Sequence, residues 1–383
     1  MFARNACLFC FFGLGVAGCA APHAAPDLDA AVADAGSSHD AGLLDGGAAA
    51  PDGGTQADGG AAPIVAPPGQ WTWVDFPDSR CASGAPTGLA VNPQAGATAL
   101  LIYLEGGGQC TNATECWGPS PTATNLGGYD STTFASAAQL KYPALDRNAA
   151  GNPFAAMNMV YVPYCTGDLH AGNRLVDFDL PDGGVQPTYF YGAPDLDVFL
   201  ARLVPTFSPV SRVWLLGTSA GGFGAFLEFD RVASAFGARV DLVDDSGPPL
   251  VAKGGADNAA LFAVWALSAP TGCSGCNSFA KILQYDLSVQ SMWATSGEFA
   301  FLSFTEDTVI SQRFGYSLAE YPGLMQTFST GLPASPAAAT FLVGNDQSHV
   351  VESNLTLATQ YFPWMTEMVN RNPAWGDATY AVP

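Results

Sequence analysis

One short segment constrains the fold more than any other. An apolar strand is predicted at Arg212–Leu216, it runs directly into Gly217-Thr218-Ser219-Ala220-Gly221, and Gly222–Phe236 has the spacing of a helix. A strand, a serine between two glycines and a helix, in that order, form the context of a nucleophile elbow. The turn is so sharp that side chains larger than glycine would clash at the flanking positions. We therefore expect the Ser219 hydroxyl to be exposed at the tip of a sheet.

The same segment has an alternative interpretation as a phosphate-binding loop. A Walker loop requires a Lys-Ser or Lys-Thr pair after its glycines, and none follows Gly221. A simple strand-to-helix turn remains open. In the elbow interpretation, the positive end of the helix and the N–H of Ala220 face the charge that develops on a reacting carbonyl oxygen.

The folded part of the chain alternates strand and helix patterns. Short apolar runs separated by helix-like segments are typical of a mostly parallel sheet that is covered on both faces. The fold class is therefore α/β, and we predict a doubly wound sheet of the α/β-hydrolase type. Pro249–Ser296 departs from the alternation and is interpreted as a small cap insertion over the cleft. The other predicted elements are strands at Ala99–Leu104, Met157–Pro163, Val240–Val243, Phe299–Phe304 and Thr340–Val343, and a helix at Asp195–Val204.

A glycine-rich loop follows the first of these strands. Glu105-Gly106-Gly107-Gly108 lies where hydrolases of this type place an oxyanion loop. Glycines let the backbone approach a substrate closely with free N–H groups. We expect Gly107 and Gly108 to form the oxyanion hole with Ala220, and a flexible turn is the alternative.

Few histidines are available as a base. The order of the catalytic groups in this hydrolase class is serine, acid, histidine. His349 follows the last predicted strand and is the histidine that fits this order, because His23 and His39 lie in the N-terminal segment and His170 precedes Ser219.

The acid is expected after the strand Phe299–Phe304. Asp307 is the first choice there and Glu306 is the second. Asp244 and Asp245, which follow the strand after the elbow, are a rival site. Asp346 is so close to His349 in sequence that a local loop contact is the more ordinary role. The acid holds the tautomer of the imidazole and stabilises its charged form.

The N-terminal residues have the composition of an export signal. One positive charge at Arg4 is followed by a short apolar run, Cys7–Val16, and then by small residues before Cys19. The run is too short to span a bilayer as a mature helix, so a cleaved signal is predicted at 1–19. The cysteine after small residues resembles a lipobox, which makes Cys19 the expected lipidation site. A plain secretory signal cut near Ala20 is the alternative.

Ala20–Gly69 is rich in Ala, Gly, Pro and Asp and contains no Lys, Arg, Glu or aromatic residue. Such a segment cannot bury enough apolar surface to offset its chain entropy, so a disordered linker is expected at 20–69 and the hydrolase domain at 70–383. The three Asp-Gly-Gly triplets lack the alternating acidic ligands of a calcium loop. The expected address is outside the cytoplasm, either anchored to the outer membrane as a lipoprotein or secreted.

The charge balance limits the partners of the chain. The sequence has 13 Lys and Arg against 34 Asp and Glu, a formal net charge of −21. This argues against nucleic acid and anionic lipid surfaces, so membrane contact is expected only through the lipid anchor. No metal or cofactor is called for, and a monomer is expected.

Six cysteines remain after the N-terminal segment, and an even number in an exported domain indicates disulfides, with 15 possible connectivities. Cys110 with Cys116 and Cys273 with Cys276 are close in sequence, which leaves Cys81 to pair with Cys165. The Cys273-Ser-Gly-Cys276 motif has a redox or zinc half-site as its alternative, although no second cysteine pair or histidine is near it in sequence.

Several motifs, in order, resemble the pectin acetylesterase/Notum family. The matching segments are Leu104-Glu105-Gly106-Gly107-Gly108-Gln109-Cys110 with Cys116, Tyr164-Cys165-Thr166-Gly167-Asp168, the elbow, and Asp244–Gly247. Asp307 and His349 fall where the family has its catalytic Asp and His. Gln109 stands where the family commonly has an aromatic residue. The resemblance spans about Trp71 to Pro373 and implies a carboxylic-ester hydrolase that removes small acyl groups.

The leading hypothesis is therefore a serine esterase that removes short acyl groups, with an acetylated polysaccharide as one candidate substrate. A lipid or long-chain esterase, a peptidase on the same residues, and a non-catalytic surface lipoprotein that uses a hydrolase fold for binding are the alternatives. Candidates for all three catalytic groups argue against the binding protein.

Overall fold

The computed structural model describes residues 61–137, 142–254, 258–267, 269–270, 272–290, 297–333 and 337–383. The predicted signal, Cys19 and most of the predicted linker lie outside these residues. The last part of the linker is described and packs on the domain. Ile64 is 8% exposed, and its N–H donates to the Thr206 Oγ1 at 2.7 Å. The packed region therefore begins before Gln70.

The described residues form eleven strands and ten α-helices. The strands are β1 Thr72–Phe76, β2 Thr87–Asn92, β3 Ala99–Leu104, β4 Asn158–Val162, β5 Arg174–Asp179, β6 Val185–Phe190, β7 Arg212–Thr218, β8 Val240–Asp245, β9 Phe299–Phe304, β10 Ala338–Gly344 and β11 Ala378–Ala381. The helices are α1 Ala113–Trp117, α2 Ser131–Ala137, α3 Gly192–Phe207, α4 Ala220–Leu227, α5 Phe229–Phe236, α6 Ala259–Trp265, α7 Phe279–Gln290, α8 Thr308–Arg313, α9 Tyr321–Gly331 and α10 Leu355–Val369.

Nine of these strands make one sheet in the order β1-β2-β4-β3-β7-β8-β9-β10-β11 within the described part of the chain. The strands from β4 to β11 in this order run parallel to one another, and β2 is antiparallel to both of its neighbours. The strands β5 and β6 form a separate antiparallel pair. The mostly parallel sheet predicted from the sequence is present, with an antiparallel strand near one edge.

Alternate side chains of the central strands pack on opposite faces of the sheet. In β3, Leu100 and Ile102 belong to one core cluster, whereas Leu101 and Tyr103 belong to the other. All four are fully buried. A strand that is buried on both faces has to be apolar at every position, which explains the uninterrupted apolar runs in the sequence.

One predicted element needs correction, and a second is described only in part. The helix expected at Gly222–Phe236 is divided into α4 and α5 at Glu228, where the backbone has φ −104° and ψ 4°. The described part of Pro249–Ser296, the segment expected as a cap over the cleft, packs in part beside the helix that follows the elbow. The ring of Phe279 lies 5.4 Å from that of Phe223 and 5.8 Å from that of Phe226.

The described cysteines form three disulfides, and they have the predicted pairing: Cys81–Cys165, Cys110–Cys116 and Cys273–Cys276. Disulfides of this kind are consistent with an exported protein. No helix in the described ranges has the length and apolar character to cross a bilayer.

Candidate active site

Ser219 stands on a sharp turn between β7 and α4, in the middle of the sheet. Its backbone has φ 54° and ψ −117°, a conformation that costs a non-glycine residue free energy and that is concentrated at functional sites. A Cβ at Gly217 would overlap the carbonyl oxygen of Gly221, and a Cβ at Gly221 would overlap that of Leu104. Glycine is therefore required on both sides of the serine for steric reasons.

The structure brings together the three side chains that the sequence analysis placed in one site. The Ser219 Oγ lies 2.7 Å from the Nε2 of His349, and the Nδ1 of His349 lies 2.7 Å from the Oδ2 of Asp307. Ser219 follows β7, Asp307 follows β9 and His349 follows β10, so all three lie at the carboxyl edge of parallel strands. The imidazole is 20% exposed, whereas the Asp307 side chain is fully buried.

Asp307 has a second role as the N-cap of α8. Its Oδ1 accepts hydrogen bonds from the N–H groups of Val309 (2.8 Å) and Ile310 (2.9 Å), which leaves Oδ2 for the histidine. The backbone N–H groups at the start of a helix fix the orientation of a capping aspartate. The aspartate is thus held by its own helix and presents one oxygen to the imidazole.

The alternative acids are bonded elsewhere. Asp346 accepts from the N–H of Ser348 at 2.8 Å, a local loop contact as expected. Asp244 accepts from the N–H of Gly247 at 2.8 Å, and Asp245 bonds backbone N–H groups beyond His349.

The glycine loop after β3 lies against the elbow. A Cβ placed on Gly106 would come within 3.0 Å of the Ser219 Cβ, so the loop and the serine are in close contact. Gly108 and Ala220 line the same cleft as Ser219. Within the described residues, the N–H groups of Gly107, Gly108 and Ala220 donate no hydrogen bond. Gly106 was not among the predicted oxyanion residues, yet it is the glycine that contacts the serine.

His170 supports the glycine loop from behind. It was set aside in the sequence because it precedes Ser219, but its Nε2 lies 2.8 Å from the carbonyl oxygen of Glu105. Burial lowers the pKa of His170 to about 4, so the imidazole is neutral at pH 7 and its Nε2–H donates to this carbonyl. The Glu105 Oε2 in turn accepts from the N–H of Tyr164 at 3.0 Å.

The cleft beside Ser219 has a volume of about 420 Å³. Its wall combines apolar side chains with one polar pair. With the Gln109 amide oriented so that its oxygen faces the guanidinium, that oxygen accepts from the Arg313 Nε at 2.7 Å. The lining residues are Gly108, Gln109, Glu115, Thr122, Leu169, Ser219, Ala220, Phe223, Val309, Ile310, Gln312 and Arg313. The described part of Pro249–Ser296 contributes no lining residue to this cleft, whereas α8 contributes Val309, Ile310, Gln312 and Arg313.

This geometry suits nucleophilic attack by a hydroxyl. A serine bonded to one imidazole nitrogen, with a buried carboxylate on the other, can lose its proton to the imidazole as it attacks. Free backbone N–H groups near the serine can accept the negative charge that forms on a carbonyl oxygen. Among the residues described, no group of three or more His, Cys, Asp or Glu side chains is arranged to hold a metal ion.

Comparison with known proteins agrees with the motifs. Residues 72–260 match the family model described as pectinacetylesterase, and this range contains the glycine loop and Ser219. This matched part of the chain belongs to the pectinacetylesterase family. The matched range ends before Asp307 and His349, so the assignment of these two residues depends on their geometry and chain order.

Curated relatives share part of the chain. Over 165 residues it is 34% identical to the palmitoleoyl-protein carboxylesterase NOTUM of Schmidtea mediterranea, and over 155 residues it is 30% identical to the Homo sapiens protein of the same name. The first alignment covers 41% of this chain and the second 40%. Each covers 29% of the relative, so the match spans less than a third of the relatives' length.

A solved structure extends the likeness to the fold. The structure of the Wnt deacylase Notum from Drosophila matches with a TM-score of 0.53 at 17% identity, over 75% of this chain and 87% of that chain. At this identity the match concerns the fold alone, which is that of an α/β-hydrolase.

The sequence analysis did not identify the cleft wall. Gln109 was noted only as a departure from the family, and Arg313 was not noted. A polar pair between the loop after β3 and the end of α8 has no signature in sequence, because the two residues are 204 positions apart and meet only in the fold.

Proposed function

We propose that this chain is a serine carboxylic-ester hydrolase that removes short acyl groups from an ester outside the cytoplasm. The observation that carries the proposal is the continuous hydrogen-bonded series from Ser219 through His349 to Asp307. Such a series at the tips of parallel strands is the arrangement of hydrolases that work through an acyl-enzyme. Membership of an ester-hydrolase family supports the same conclusion.

The proposed reaction has two steps. The Ser219 Oγ attacks the ester carbonyl while His349 takes its proton, and the oxyanion is held by N–H groups of Gly107, Gly108 and Ala220. The C–O bond to the alcohol then breaks, and the imidazolium gives its proton to the departing alkoxide. A water molecule, deprotonated by the same imidazole, attacks the acyl-enzyme and releases the carboxylic acid. Asp307 stabilises the imidazolium in both steps.

The cleft favours a short acyl group, and acetyl on a polysaccharide is the substrate we propose. The contact between Gln109 and Arg313 places a charged side chain in the wall of the cleft beside the nucleophile. Burying a long apolar chain against this guanidinium would remove water from the charge, which is costly.

A second candidate is a longer acyl chain. Leu169, Phe223 and Ile310 form an apolar part of the same wall, and the curated relatives are named palmitoleoyl-protein carboxylesterases. The acyl-chain profile distinguishes the two candidates.

The test is hydrolysis of p-nitrophenyl esters from acetate to octanoate by the purified protein. Ser219→Ala should lower kcat by about four to six orders of magnitude. Ser211→Ala is the matched control, because this exposed serine lies at the opposite end of β7. Activity that is highest on acetate supports deacetylation, and a maximum at octanoate supports the second candidate. Equal activity of wild type and Ser219→Ala would contradict the mechanism and favour a binding protein.

We also propose that Cys19 carries a lipid that anchors the domain through the linker at 20–69. The small residues before Cys19 and the composition of the linker support this. In cells, Cys19→Ala should move the protein from the membrane fraction to the soluble fraction. An unchanged distribution would instead support secretion from a plain signal.

A further inference from the structure

Asp245 is the last residue of β8, and it touches both the nucleophile and the histidine loop. Its backbone carbonyl accepts the N–H of Ser219 at 2.7 Å. Its carboxylate accepts the N–H of Val351 on Oδ1 (3.1 Å) and the N–H of Glu352 on Oδ2 (2.6 Å). One residue is therefore hydrogen-bonded to the turn that holds the serine and to the loop that holds His349.

Ser246 extends this connection to His349 itself. Its hydroxyl lies 2.8 Å from the Asp245 Oδ1 and is also hydrogen-bonded to the carbonyl oxygen of His349. The backbone of Ser246 has a φ of 63°, which is unusual for a residue with a side chain. The N–H of Ser246 is bonded to the carbonyl of Leu302 at 2.8 Å, which helps to hold this conformation.

The environment of the Asp245 carboxylate makes these bonds strong. The side chain is fully buried, where a charge-assisted hydrogen bond is not weakened by water. The neighbouring Glu352 is fully buried too, and neither of its carboxyl oxygens has a hydrogen-bond partner among the described residues. Burial raises the pKa of Glu352, which favours its neutral form over a second buried charge beside Asp245.

We propose that Asp245 is a positioning residue that fixes His349 relative to Ser219. It acts through the backbone of the loop at Val351 and Glu352 and through Ser246, and it does not touch the substrate. The inference depends on the proposed function for its kinetic consequence, since the position of a base matters only if the base is used. The position of the imidazole itself can be measured without any substrate.

The test compares Asp245→Asn with Asp244→Asn. Asparagine at 245 removes the charge and turns an N–H donor toward a backbone N–H of the histidine loop. Misplacing a catalytic group by about 1 Å can cost on the order of 100-fold, so kcat should fall by about that factor with little change in KM. Asp244 is equally buried on the same strand, and its Oδ1 accepts from Gly247 rather than from the histidine loop. Its substitution should leave kcat close to that of the wild type.

A spectroscopic readout separates positioning from simple stability. The proton between the His349 Nδ1 and Asp307 should give a low-field NMR signal in the wild type and in Asp244→Asn, and this signal should broaden or disappear in Asp245→Asn. An unchanged kcat and an unchanged signal in Asp245→Asn would overturn the proposal, and so would equal losses in both variants.

A third variant, Ser246→Ala, tests the proposal in case Asp245→Asn does not fold. If Asp245→Asn does not fold, Ser246→Ala removes the hydroxyl contacts with the His349 carbonyl and the Asp245 Oδ1 but keeps the bonds of Asp245 to Val351 and Glu352, so it should weaken the same signal and lower kcat by a smaller factor. An unchanged signal and kcat in folded Ser246→Ala would then overturn the inference. If the wild type hydrolyses no ester, the proposed function fails, and the NMR comparison still decides whether Asp245 positions His349.

Discussion

Ser219 stands on a turn that its own neighbours shape, whereas His349 stands on a loop that another strand holds. Around the serine, Gly217 and Gly221 permit the tight turn, and α4 begins at once. The loop of His349 follows β10, and its backbone is bonded to Asp245 at the end of β8.

The two regions also differ in covalent support. Cys81–Cys165 and Cys110–Cys116 lie close to the glycine loop, and the N–H of Cys110 is bonded to the carbonyl of Gly167. After Cys276 the sequence has no cysteine. The base and the acid therefore depend on hydrogen bonds and packing alone. The comparison teaches that the nucleophile depends on its own glycine-flanked turn as well as on a bond to β8, whereas the base depends on tertiary contacts.

Apart from the loss expected for Ser219→Ala, the largest expected effect concerns the catalytic acid. Asp307→Asn should lower kcat by about 10⁴-fold because the amide favours the wrong tautomer of His349. Asparagine is also a good N-cap, so α8 and the stability should be largely kept. Glu306→Gln is the control, since Glu306 is adjacent and partly exposed. Steady-state kinetics on p-nitrophenyl acetate checks this, and a large loss in Glu306→Gln with none in Asp307→Asn would make Glu306 the acid.

Removing the covalent support should affect stability more than activity. Cys81→Ser with Cys165→Ser opens a sequence separation of 84 residues, and the free energy of unfolding should fall by about 4–5 kcal/mol. The Cys273–Cys276 bond spans a sequence separation of only 3, so removing it with Cys273→Ser and Cys276→Ser should lower the free energy of unfolding by about 1–2 kcal/mol. Urea unfolding measures both, and kcat of the folded protein should remain similar. A loss of kcat without a loss of stability would show that the Cys81–Cys165 bond positions the oxyanion loop directly.

The buried groups His170 and Asp245, one in each region, should make the free energy of unfolding depend on pH in opposite directions. Burial lowers the pKa of His170 to about 4 from an ordinary 6.5, so the unfolded state takes up the proton first as pH falls. The folded state should therefore lose up to about 3 kcal/mol between pH of about 6.5 and about 4, and His170→Gln should abolish that loss.

On the side of the base, burial raises the pKa of Asp245, so its contribution is lost as pH rises through the pKa of the folded state. When the free energy of unfolding is plotted against pH, Asp245→Asn should therefore change the slope in the direction opposite to the change caused by His170→Gln. Urea unfolding at several pH values measures both slopes, and slopes that change in the same direction would contradict the assignment of these buried groups.

The smallest expected effect concerns the cleft that lies between the two regions. Arg313→Leu should raise the ratio of kcat/KM on octanoate to that on acetate by about tenfold, because an apolar wall replaces a charge that a longer chain would desolvate. Arg313→Lys keeps the charge and should keep the profile. An unchanged ratio in Arg313→Leu would show that the acyl chain lies elsewhere in the cleft.

Much of the nucleophile region could be predicted from the sequence. The strand Ala99–Leu104 was predicted with the bounds that the structure has, and so was Phe299–Phe304, because continuous apolar runs are required where both faces of a strand are covered. The antiparallel edge was not predicted. The strand β1 is short and only partly buried, so its pattern resembles that of a loop.

The errors have physical causes as well. Gly222–Phe236 has one continuous helical pattern, but the buried Glu228 ends α4 before α5 begins. Pro249–Ser296 was assigned to a cap because it broke the alternation of strands and helices. Its Phe279 packs on Phe223 of α4, a contact that no local pattern reveals.

The sequence by itself determined which residue types are available for the chemistry. A serine between two glycines after an apolar strand is a local feature, and the order of serine, aspartate and histidine along the chain is a property of the sequence alone. Only the tertiary structure decided that Asp307 rather than Asp245 meets the imidazole, and that Asp245 bonds the loop of His349 instead. The reason is that these hydrogen bonds join residues 42 and 106 positions apart, so they depend on the register of strands in the sheet, and no local pattern encodes that register.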